Sequence, residues 1–392
     1  QGILLNGNST IGTLTNNDTI SGTAGNSNGF GITIFSNSEI TTLTNDGTIS
    51  GTAGTNNGMG IILSSNSTIT NLTNSGTITG TAGGFNSDGV ILNLGSNITT
   101  LTNDGTISGT ATGVFGSGVT LNNNNATITT LTNNGIITGS AGTDSGFGAR
   151  LTSNATITNL TNTGDITGTA GNDNGFGIRL VTNSTITTLT NTGTISGTAG
   201  NDNGQGIRLA TSTITNLTNT GTISGEAGND SGDGIVLSSN SEITTLTNNG
   251  TISGTATVDD TRGILLTSNT IIGTLTNNGI ISGTAGDNGG VGIDLVLNNA
   301  TITNLINTGT ISGTAGNNTG IGISIDNATI TNLTNTGTIT GSDATNAFDI
   351  RVDANSNLTN FNNLQPNLTY SGRLPSNYST IIRNLDNYGS VT

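Results

Sequence analysis

The chain has 392 residues, of which 62 are Gly and 3% are aromatic, and its formal net charge is −15. It contains no Cys, His, Trp or Lys, so the usual nucleophiles, general bases and soft metal ligands are missing and we expect that it is not an enzyme. The negative charge has the wrong sign for a nucleic-acid partner, and no apolar stretch approaches the ~20 residues that a transmembrane helix requires.

The first segment, residues 2–5, reads Gly-Ile-Leu-Leu, and the same four residues recur at positions 263–266 within a longer pattern. This match predicts that the chain enters directly on a strand, without a cap before it. Because an open strand edge can recruit another chain, Ile3 and Leu5 are candidate assembly residues. We expect copies of the chain to associate head to tail.

A pattern of about 29 residues then recurs twelve times around a Leu that we call the anchor. Ile stands three residues before and six residues after every anchor, and a third apolar pair, such as Ile178 and Leu180, follows eighteen and twenty residues after it. Gly- and Asn-rich corners separate these segments, which predicts three short strands per coil. Because one coil cannot bury its own apolar stripe, the coils must stack. The predicted fold class for residues 1–352 is therefore an all-β parallel β-solenoid of twelve coils. The anchors are Leu14, Leu43, Leu72, Leu101, Leu131, Leu160, Leu189, Leu217, Leu246, Leu275, Leu305 and Leu333.

An Asn stands two residues after every anchor. Stacked at an inward corner, such amides can hydrogen-bond to the copies above and below, which satisfies polar groups whose unpaired burial costs ~1–3 kcal/mol each. The sequence therefore predicts a structural ladder of side-chain amides. Its members are Asn16, Asn45, Asn74, Asn103, Asn133, Asn162, Asn191, Asn219, Asn248, Asn277, Asn307 and Asn335.

A charged patch interrupts the neutral surface in five consecutive coils. An Asp stands thirteen residues after the anchor in each of them, and an Arg stands nineteen residues after it in three. Three interpretations stay open: charge compensation in solvent, Ca²⁺ held by stacked carboxylates and neighbouring Asn, and a saccharide site. Calcium would be the only cofactor. The residues are Asp144, Asp173, Asp202, Asp230 and Asp259, with Arg150, Arg179 and Arg208.

Two further features of the surface have more than one interpretation. Phe147 and Phe176 occupy equivalent positions in neighbouring coils of the charged patch, where they could form a platform for a sugar ring or pack within the loop. Outward Thr pairs such as Thr185 and Thr187 resemble the arrays of β-helical ice-binding proteins, but Thr is also the best polar residue for a strand.

The repeat decays after Leu333, and residues 353–392 form a segment of different composition. It contains both Pro and all three Tyr of the chain, Tyr370, Tyr378 and Tyr388. We predict that this tail caps the last coil or docks on another subunit, with the three Tyr as assembly residues. A flexible linker is the alternative.

The coil at residues 183–209, NSTITTLTNTGTISGTAGNDNGQGIRL, resembles the passenger repeats of bacterial autotransporter and haemagglutinin-like surface proteins, which are right-handed parallel β-helices. The tail at residues 368–391 is similar to segments that follow such repeats. The resemblance implies a protein at the bacterial cell surface or outside the cell.

Three functions are compatible with this pattern. We expect a structural subunit of an extracellular filament, built by end-to-end stacking of solenoids. The alternatives are a monomeric adhesin rod that binds surface glycans, and a polysaccharide-active or ice-binding solenoid.

Overall fold

Every element of secondary structure that the computed structural model describes is a β-strand. The described part of the chain divides into two compact units, unit 1 (Gln1–Gly200) and unit 2 (Asn201–Thr392). The described residues are 1–343, 347–365, 368–372, 377–379 and 384–386, the last two ranges as backbone only.

Unit 1 contains twenty-one strands. In chain order they are β1 (Ile3–Leu5), β2 (Thr10–Asn16), β3 (Thr19–Ala24), β4 (Gly29–Ile34), β5 (Glu39–Asn45), β6 (Thr48–Ala53), β7 (Gly58–Leu63), β8 (Thr68–Asn74), β9 (Thr77–Ala82), β10 (Ser87–Asn93), β11 (Asn97–Asn103), β12 (Thr106–Ala111), β13 (Phe115–Asn122), β14 (Thr127–Asn133), β15 (Ile136–Ala141), β16 (Ser145–Leu151), β17 (Thr156–Asn162), β18 (Asp165–Ala170), β19 (Gly175–Val181), β20 (Thr185–Asn191) and β21 (Thr194–Ala199).

The described residues of unit 2 contain twenty strands. They are β22 (Gly204–Ala210), β23 (Thr213–Asn219), β24 (Thr222–Ala227), β25 (Gly232–Ser238), β26 (Glu242–Asn248), β27 (Thr251–Ala256), β28 (Thr261–Leu266), β29 (Ile271–Asn277), β30 (Ile280–Ala285), β31 (Gly290–Leu295), β32 (Thr301–Asn307), β33 (Thr310–Ala315), β34 (Gly320–Ile325), β35 (Thr329–Asn335), β36 (Thr338–Ser342), β37 (Phe348–Val352), β38 (Asn357–Asn363), β39 (Thr369–Gly372), β40 (Asn377–Ser379) and β41 (Asn384–Asp386).

Within each unit, every third strand pairs in parallel with the next one, which produces three sheets. In unit 1, sheet A begins with β1-β4-β7, sheet B with β2-β5-β8 and sheet C with β3-β6-β9. The register joins equivalent residues of successive coils, as where Leu43 stands opposite Leu72. The predicted fold class is therefore confirmed: the chain forms a parallel β-solenoid of about twelve turns with three strands per turn.

The core of each unit consists of the anchor Leu, the two Ile columns that flank it, and the apolar pair of sheet A. In the second coil, Ile40, Leu43 and Ile49 are completely buried. Burial of such a side chain is worth ~1.5–3 kcal/mol relative to exposure. Because the strands lie ~4.8 Å apart, this burial requires a coil on both sides.

Two glycine positions shape the cross-section. A Cβ at Gly51, eight residues after its anchor, would lie 1.9 Å from the carbonyl oxygen of Met59, so only glycine fits where sheets A and C approach. A Cβ at Gly148, seventeen residues after its anchor, would lie 2.6 Å from Cγ2 of Ile166 in the core. This inward glycine leaves Phe147 and Arg150 together on the outer face of sheet A.

The asparagines two residues after the anchors stack into a continuous amide ladder within each unit. In unit 1, Nδ2 of Asn45 donates to Oδ1 of Asn74 at 2.7 Å and to the carbonyl oxygens of Gly47 and Thr77 at 3.2 and 3.1 Å. Within each unit, the distance from Nδ2 of one ladder Asn to Oδ1 of the next is 2.6–2.8 Å. Each Asn therefore links its own corner to the side chain and the backbone of the next coil.

Strand pairing in unit 2 continues past residue 352, into the segment that the sequence pattern placed outside the repeat. β38 pairs with β35, so that Phe361 stands opposite Leu333 and Asn363 opposite Asn335. Nδ2 of Asn335 donates to Oδ1 of Asn363 at 2.6 Å, so the ladder of unit 2 has one member more than the sequence predicted.

Side chains cover the edge of the last strand of sheet C, β36. Oε1 of Gln365 accepts from the backbone N–H of Ile339 at 2.8 Å, and its Nε2 donates to the carbonyl oxygen of Ile339 at 2.9 Å. Oδ1 of Asp349 accepts from the N–H of Gly341 at 3.1 Å. These contacts replace the strand that would pair next, so the edge of sheet C is protected at this point.

The corner that follows sheet A passes through left-handed backbone. Ser153 and Asn154 have φ values of 57° and 63°, and Asn and Ser adopt this region more readily than apolar residues. Leu297 also lies there, with φ 63° and 58% of its surface exposed. An exposed Leu in this conformation carries strain without contributing to the core.

Replacing a ladder residue tests the energetic role of the amides. We expect Asn74→Ala to lower the free energy of unfolding by at least about 2 kcal/mol, because it removes the acceptor of Asn45 and the donor of Asn103. Asn71→Ala, at an exposed position of the same strand, should change it by less than about 0.5 kcal/mol. Urea unfolding of both variants checks this, and equal effects would contradict the prediction.

Relief of backbone strain should stabilise unit 2. We expect Leu297→Asn to raise the free energy of unfolding by up to about 1 kcal/mol, because Asn adopts the left-handed region at lower cost than Leu. Leu297→Ala retains the Cβ and should bring no such gain. Thermal unfolding distinguishes the two variants, and an equal rise in both would show that removal of the exposed side chain, rather than strain, is responsible.

Candidate functional site

The outer face of sheet A carries two columns of side chains, sixteen and nineteen residues after the anchors. In unit 1 the strand register aligns Ser117 with Phe147 and Thr120 with Arg150. Most residues of the two columns are buried although they lie outside the core of the solenoid. We call these two columns the outer columns; they contain the predicted Arg and Phe residues.

The predicted Phe and Arg residues of unit 1 form one stacked cluster. The rings of Phe147 and Phe176 lie 5.4 Å apart at 10°. The guanidinium carbon of Arg150 lies 5.0 Å from the ring centres of Phe115 and Phe147, and that of Arg179 lies 5.6 and 4.9 Å from those of Phe147 and Phe176. Such cation–π contacts hold the charges over the aromatic faces.

The burial of the two Phe bears on the two interpretations that the sequence left open, a sugar platform and packing within the loop. Phe147 is 0% exposed and Phe176 is 3% exposed, because the guanidinium groups and the neighbouring ring cover them. A platform needs an exposed ring face. The structure favours the alternative interpretation, in which the two Phe pack within the protein.

Asp88 is a charged residue of the outer columns that was not a predicted site residue. It is 4% exposed and accepts a hydrogen bond from Oγ1 of Thr120 at 2.5 Å. Burial raises the pKa of its carboxyl to about 6, against the opposing effects of the Thr120 hydrogen bond and the charge of Arg150. Burial also lowers the pKa of Arg150, while Asp88 and Asp144 raise it.

Unit 2 carries a second buried group of charges in its outer columns. Asp233 is 1% exposed, and its Oδ1 accepts from the backbone N–H of Arg262 at 2.9 Å. Nε of Arg262 lies 3.4 Å from Oδ2 of Asp294, which is 5% exposed, and Nη2 of Arg262 lies 3.4 Å from Oδ2 of Asp260. The guanidinium of Arg262 therefore contacts two carboxylates, and the backbone N–H of the same residue binds a third.

The pKa values in this group follow from burial. Burial raises the pKa of Asp233 to about 7, although Arg262 lowers it, and burial also raises the pKa of Asp294. For Arg262, burial lowers the pKa but the charges of Asp233, Asp294 and Asp260 outweigh it, so the net shift is upward. Arg208 has a pKa lowered by burial, and its Nη1 donates to Oε1 of Gln205 at 3.2 Å.

The carboxylates predicted to hold calcium lie half-buried in the loops between sheets C and A. Four of them accept hydrogen bonds from nearby groups: Asp144 from Ser145, Asp173 from Asn172, Asp230 from Ser231 and Asp259 from Asn288. Asp202 is also half-buried. Across the described residues, no three acidic side chains come together in a way that could hold a metal ion.

The predicted assembly residues have different surroundings. Ile3 and Leu5 lie on β1 and pair with Ile32 and Ile34 of β4. Tyr370 is 1% exposed and its ring centre lies 6.4 Å from that of Phe361, so burial also raises its pKa. Tyr370 therefore packs against the end of the solenoid, as the capping alternative predicts, and its role in assembly stays a prediction. Tyr378 belongs to β40, which is described as backbone only, and Tyr388 lies outside the described residues.

The buried charges that the sequence analysis missed had a detectable signal. Asp88 stands sixteen residues after its anchor, as Phe147 and Phe176 do, and Asp294 stands nineteen residues after its anchor, as Arg150 does. Aligning the residues sixteen and nineteen positions after each anchor would therefore have identified all of the buried charges. Their burial, however, depends on the inward glycine seventeen residues after the anchor, which the column alone does not reveal.

Comparison with known proteins adds no relative. No protein-family model matches the chain, and neither a curated protein nor a solved structure is significantly similar to it. In the part of the chain that the structure describes, no helix is long and apolar enough to cross a membrane.

The stability of unit 2 should depend on pH through Asp233. Its folded-state pKa of about 7 exceeds the unfolded value of ~3.9, so the folded state binds the proton more tightly and stability falls as pH rises from about 4 to 7. The loss is up to about 4 kcal/mol if the whole difference is realised.

Asp233→Asn should remove this part of the pH dependence, because the amide does not ionise. Asp287→Asn, at an exposed position of the same unit, should leave it in place. Urea unfolding at pH 4, 6 and 8 measures the difference. An unaltered pH profile in Asp233→Asn would contradict the assignment.

Proposed function

We propose that this chain is a structural protein of the cell exterior whose function is carried by the solenoid itself. The observation that carries the proposal is the repetition of one register and one amide ladder through each unit. Contacts that recur from coil to coil stabilise the stack of coils. Catalysis, in contrast, needs a local departure from the repeat that places reactive groups at an accessible site. The carboxyl groups whose pKa burial raises in the outer columns, those of Asp88, Asp233 and Asp294, are almost fully buried.

The extracellular location rests on the resemblance of the coils to repeats of bacterial surface proteins. Outward Thr on sheet B, as at Thr185 and Thr187, gives strands with high β propensity and a polar outer face. Such a surface suits a protein that must keep its shape in solvent, and it supports the proposal of a structural role.

We further propose that two copies of this 392-residue chain associate through their first coils. Among the described residues the strands of this coil pair on one side only, and Ile11, Leu14 and Ile20 are half-buried. Their counterparts in the next coil are completely buried. Contact with a second copy would bury these apolar side chains and pair the open strand edges.

The opposite end supports a dimer rather than the head-to-tail filament that the sequence suggested. Gln365 and Asp349 already occupy the edge of β36, so a whole coil of another copy cannot pair there without displacing them. A contact between two first coils is isologous and closes on itself. The proposal therefore predicts dimers.

Analytical ultracentrifugation of the 392-residue chain tests the association. We expect a monomer–dimer equilibrium that Leu14→Asp abolishes, because a charge at the half-buried position cannot be covered by a second copy. Thr13→Asp places the same charge at the adjacent exposed position and should retain the dimer. Far-UV circular dichroism verifies that both variants keep their strand content.

Each outcome of that experiment is decisive for the association. A monomer at all concentrations would overturn association through the first coil. Filaments visible by negative-stain microscopy would overturn the dimer and show that the cover on β36 is displaced. Equal loss of the dimer in Leu14→Asp and Thr13→Asp would show that charge, rather than apolar contact, is responsible.

A further inference from the structure

A shallow cleft lies on the outer face of sheet B in unit 2. Its volume is about 280 Å³, close to the lower limit for small-molecule sites. It lies outside the outer columns of sheet A and outside the first coil, so neither feature explains it. The lining residues are Thr274, Asn304, Leu305, Ile306, Asn332 and Thr334.

One wall of the cleft is a second amide ladder. Nδ2 of Asn332 donates to Oδ1 of Asn304 at 2.8 Å, and Nδ2 of Asn360 donates to Oδ1 of Asn332 at 2.7 Å. The donors point toward the start of the chain, opposite to those of the inner ladder, where Asn307 donates to Asn335. Unlike the inner ladder, the outer one is partly exposed.

The cleft coincides with two local departures from the repeat. In the other coils the residue before the anchor is Thr, or an Asn whose neighbouring coils both have Thr there. Asn304, Asn332 and Asn360, in contrast, occupy this position in three successive coils. The residue after the anchor is Thr in eleven of the twelve coils and Ile306 in the remaining one. Ile306 is 39% exposed. The coil does not need an apolar residue there, because Thr serves in the others.

The chemistry of the lining favours an uncharged ligand with many hydroxyl groups. An amide has two N–H donors and two acceptor lone pairs. Besides the ladder contact, Nδ2 of Asn332 lies 3.4 Å from the carbonyl oxygen of Thr303, and Nδ2 of Asn304 lies 3.5 Å from Oγ1 of Thr274. The stack therefore presents mainly acceptor lone pairs to a ligand. Thr274 and Thr334 add hydroxyl groups, and the six lining residues are all uncharged. Ile306 supplies an apolar contact beside them. Sugar hydroxyls donate and accept simultaneously, while the C–H face of a sugar ring is apolar.

We propose that this cleft is a binding site for a neutral saccharide. Successive amides are one strand spacing apart, ~4.8 Å, so a short oligosaccharide along the stack meets the same acceptor groups at each coil. Ile306 fixes the position of one ring. This site goes beyond the proposed structural role and does not depend on association of the first coils.

Titration of the 392-residue chain with cellohexaose, maltohexaose and N-acetylglucosamine hexamer tests the proposal, with galacturonate hexamer as an acidic comparison. Side-chain amide signals of a ¹⁵N-asparagine-labelled sample report the contact. We expect at least one neutral oligosaccharide to bind, and Ile306→Thr and Asn332→Thr each to weaken binding by about tenfold. Both substitutions introduce Thr, which most other coils carry at the same position, so the fold should be retained.

Asn216→Thr is the matched control, because it makes the same change at an exposed position of the same column in unit 2. It should leave binding unchanged. The proposal is overturned if no neutral oligosaccharide binds, if binding survives in both cleft variants, or if only the galacturonate hexamer binds. Failure here would leave the dimer prediction intact, since that concerns other residues.

Discussion

The stacking of asparagine side chains inside the corner between sheets B and C is the contact on which the rest of this structure depends. Backbone pairing alone would allow a strand to slip by two residues and keep the same face inward. The ladder forbids that slip, because Nδ2 of each Asn must reach both the amide and a backbone carbonyl of the next coil, as Asn45 does with Asn74 and Thr77. With the register fixed, the Ile and Leu columns superimpose and become fully buried.

The fixed register also determines what lies outside the core. The glycine seventeen residues after the anchor turns inward, so two outward columns of sheet A come together and bury one another. Apolar residues such as Met59, Ile62 and Ile91 occupy some positions of these columns. Charged residues, among them Asp88 and Arg262, occupy others. Buried charges of this kind cost desolvation that their partners offset only in part, which explains the raised pKa of Asp233.

Much of the fold could be predicted from the sequence, because the period, the three apolar segments and the invariant Asn and Gly are visible as columns. The burial of individual residues outside the core could not be predicted in this way. Phe147 and Tyr370 are two of the few aromatic residues of the chain, and the sequence allowed each to be an exposed contact residue. Both are buried. Their burial depends on three-dimensional neighbours, namely Arg150 for the first and Phe361 for the second. The third member of the outer amide ladder, Asn360, was equally hidden, because its position depends on pairing of β38 beyond the visible repeat.

Hydrogen exchange of side-chain amides, measured by NMR on a ¹⁵N-asparagine-labelled chain, tests the central role of the inner ladder most directly. The account predicts that the Nδ2 protons of buried members such as Asn74 and Asn248 exchange much more slowly than those of exposed residues such as Asn71 and Asn216, because each is held between two coils. Exchange of the ladder amides at the rate of the exposed ones would contradict it.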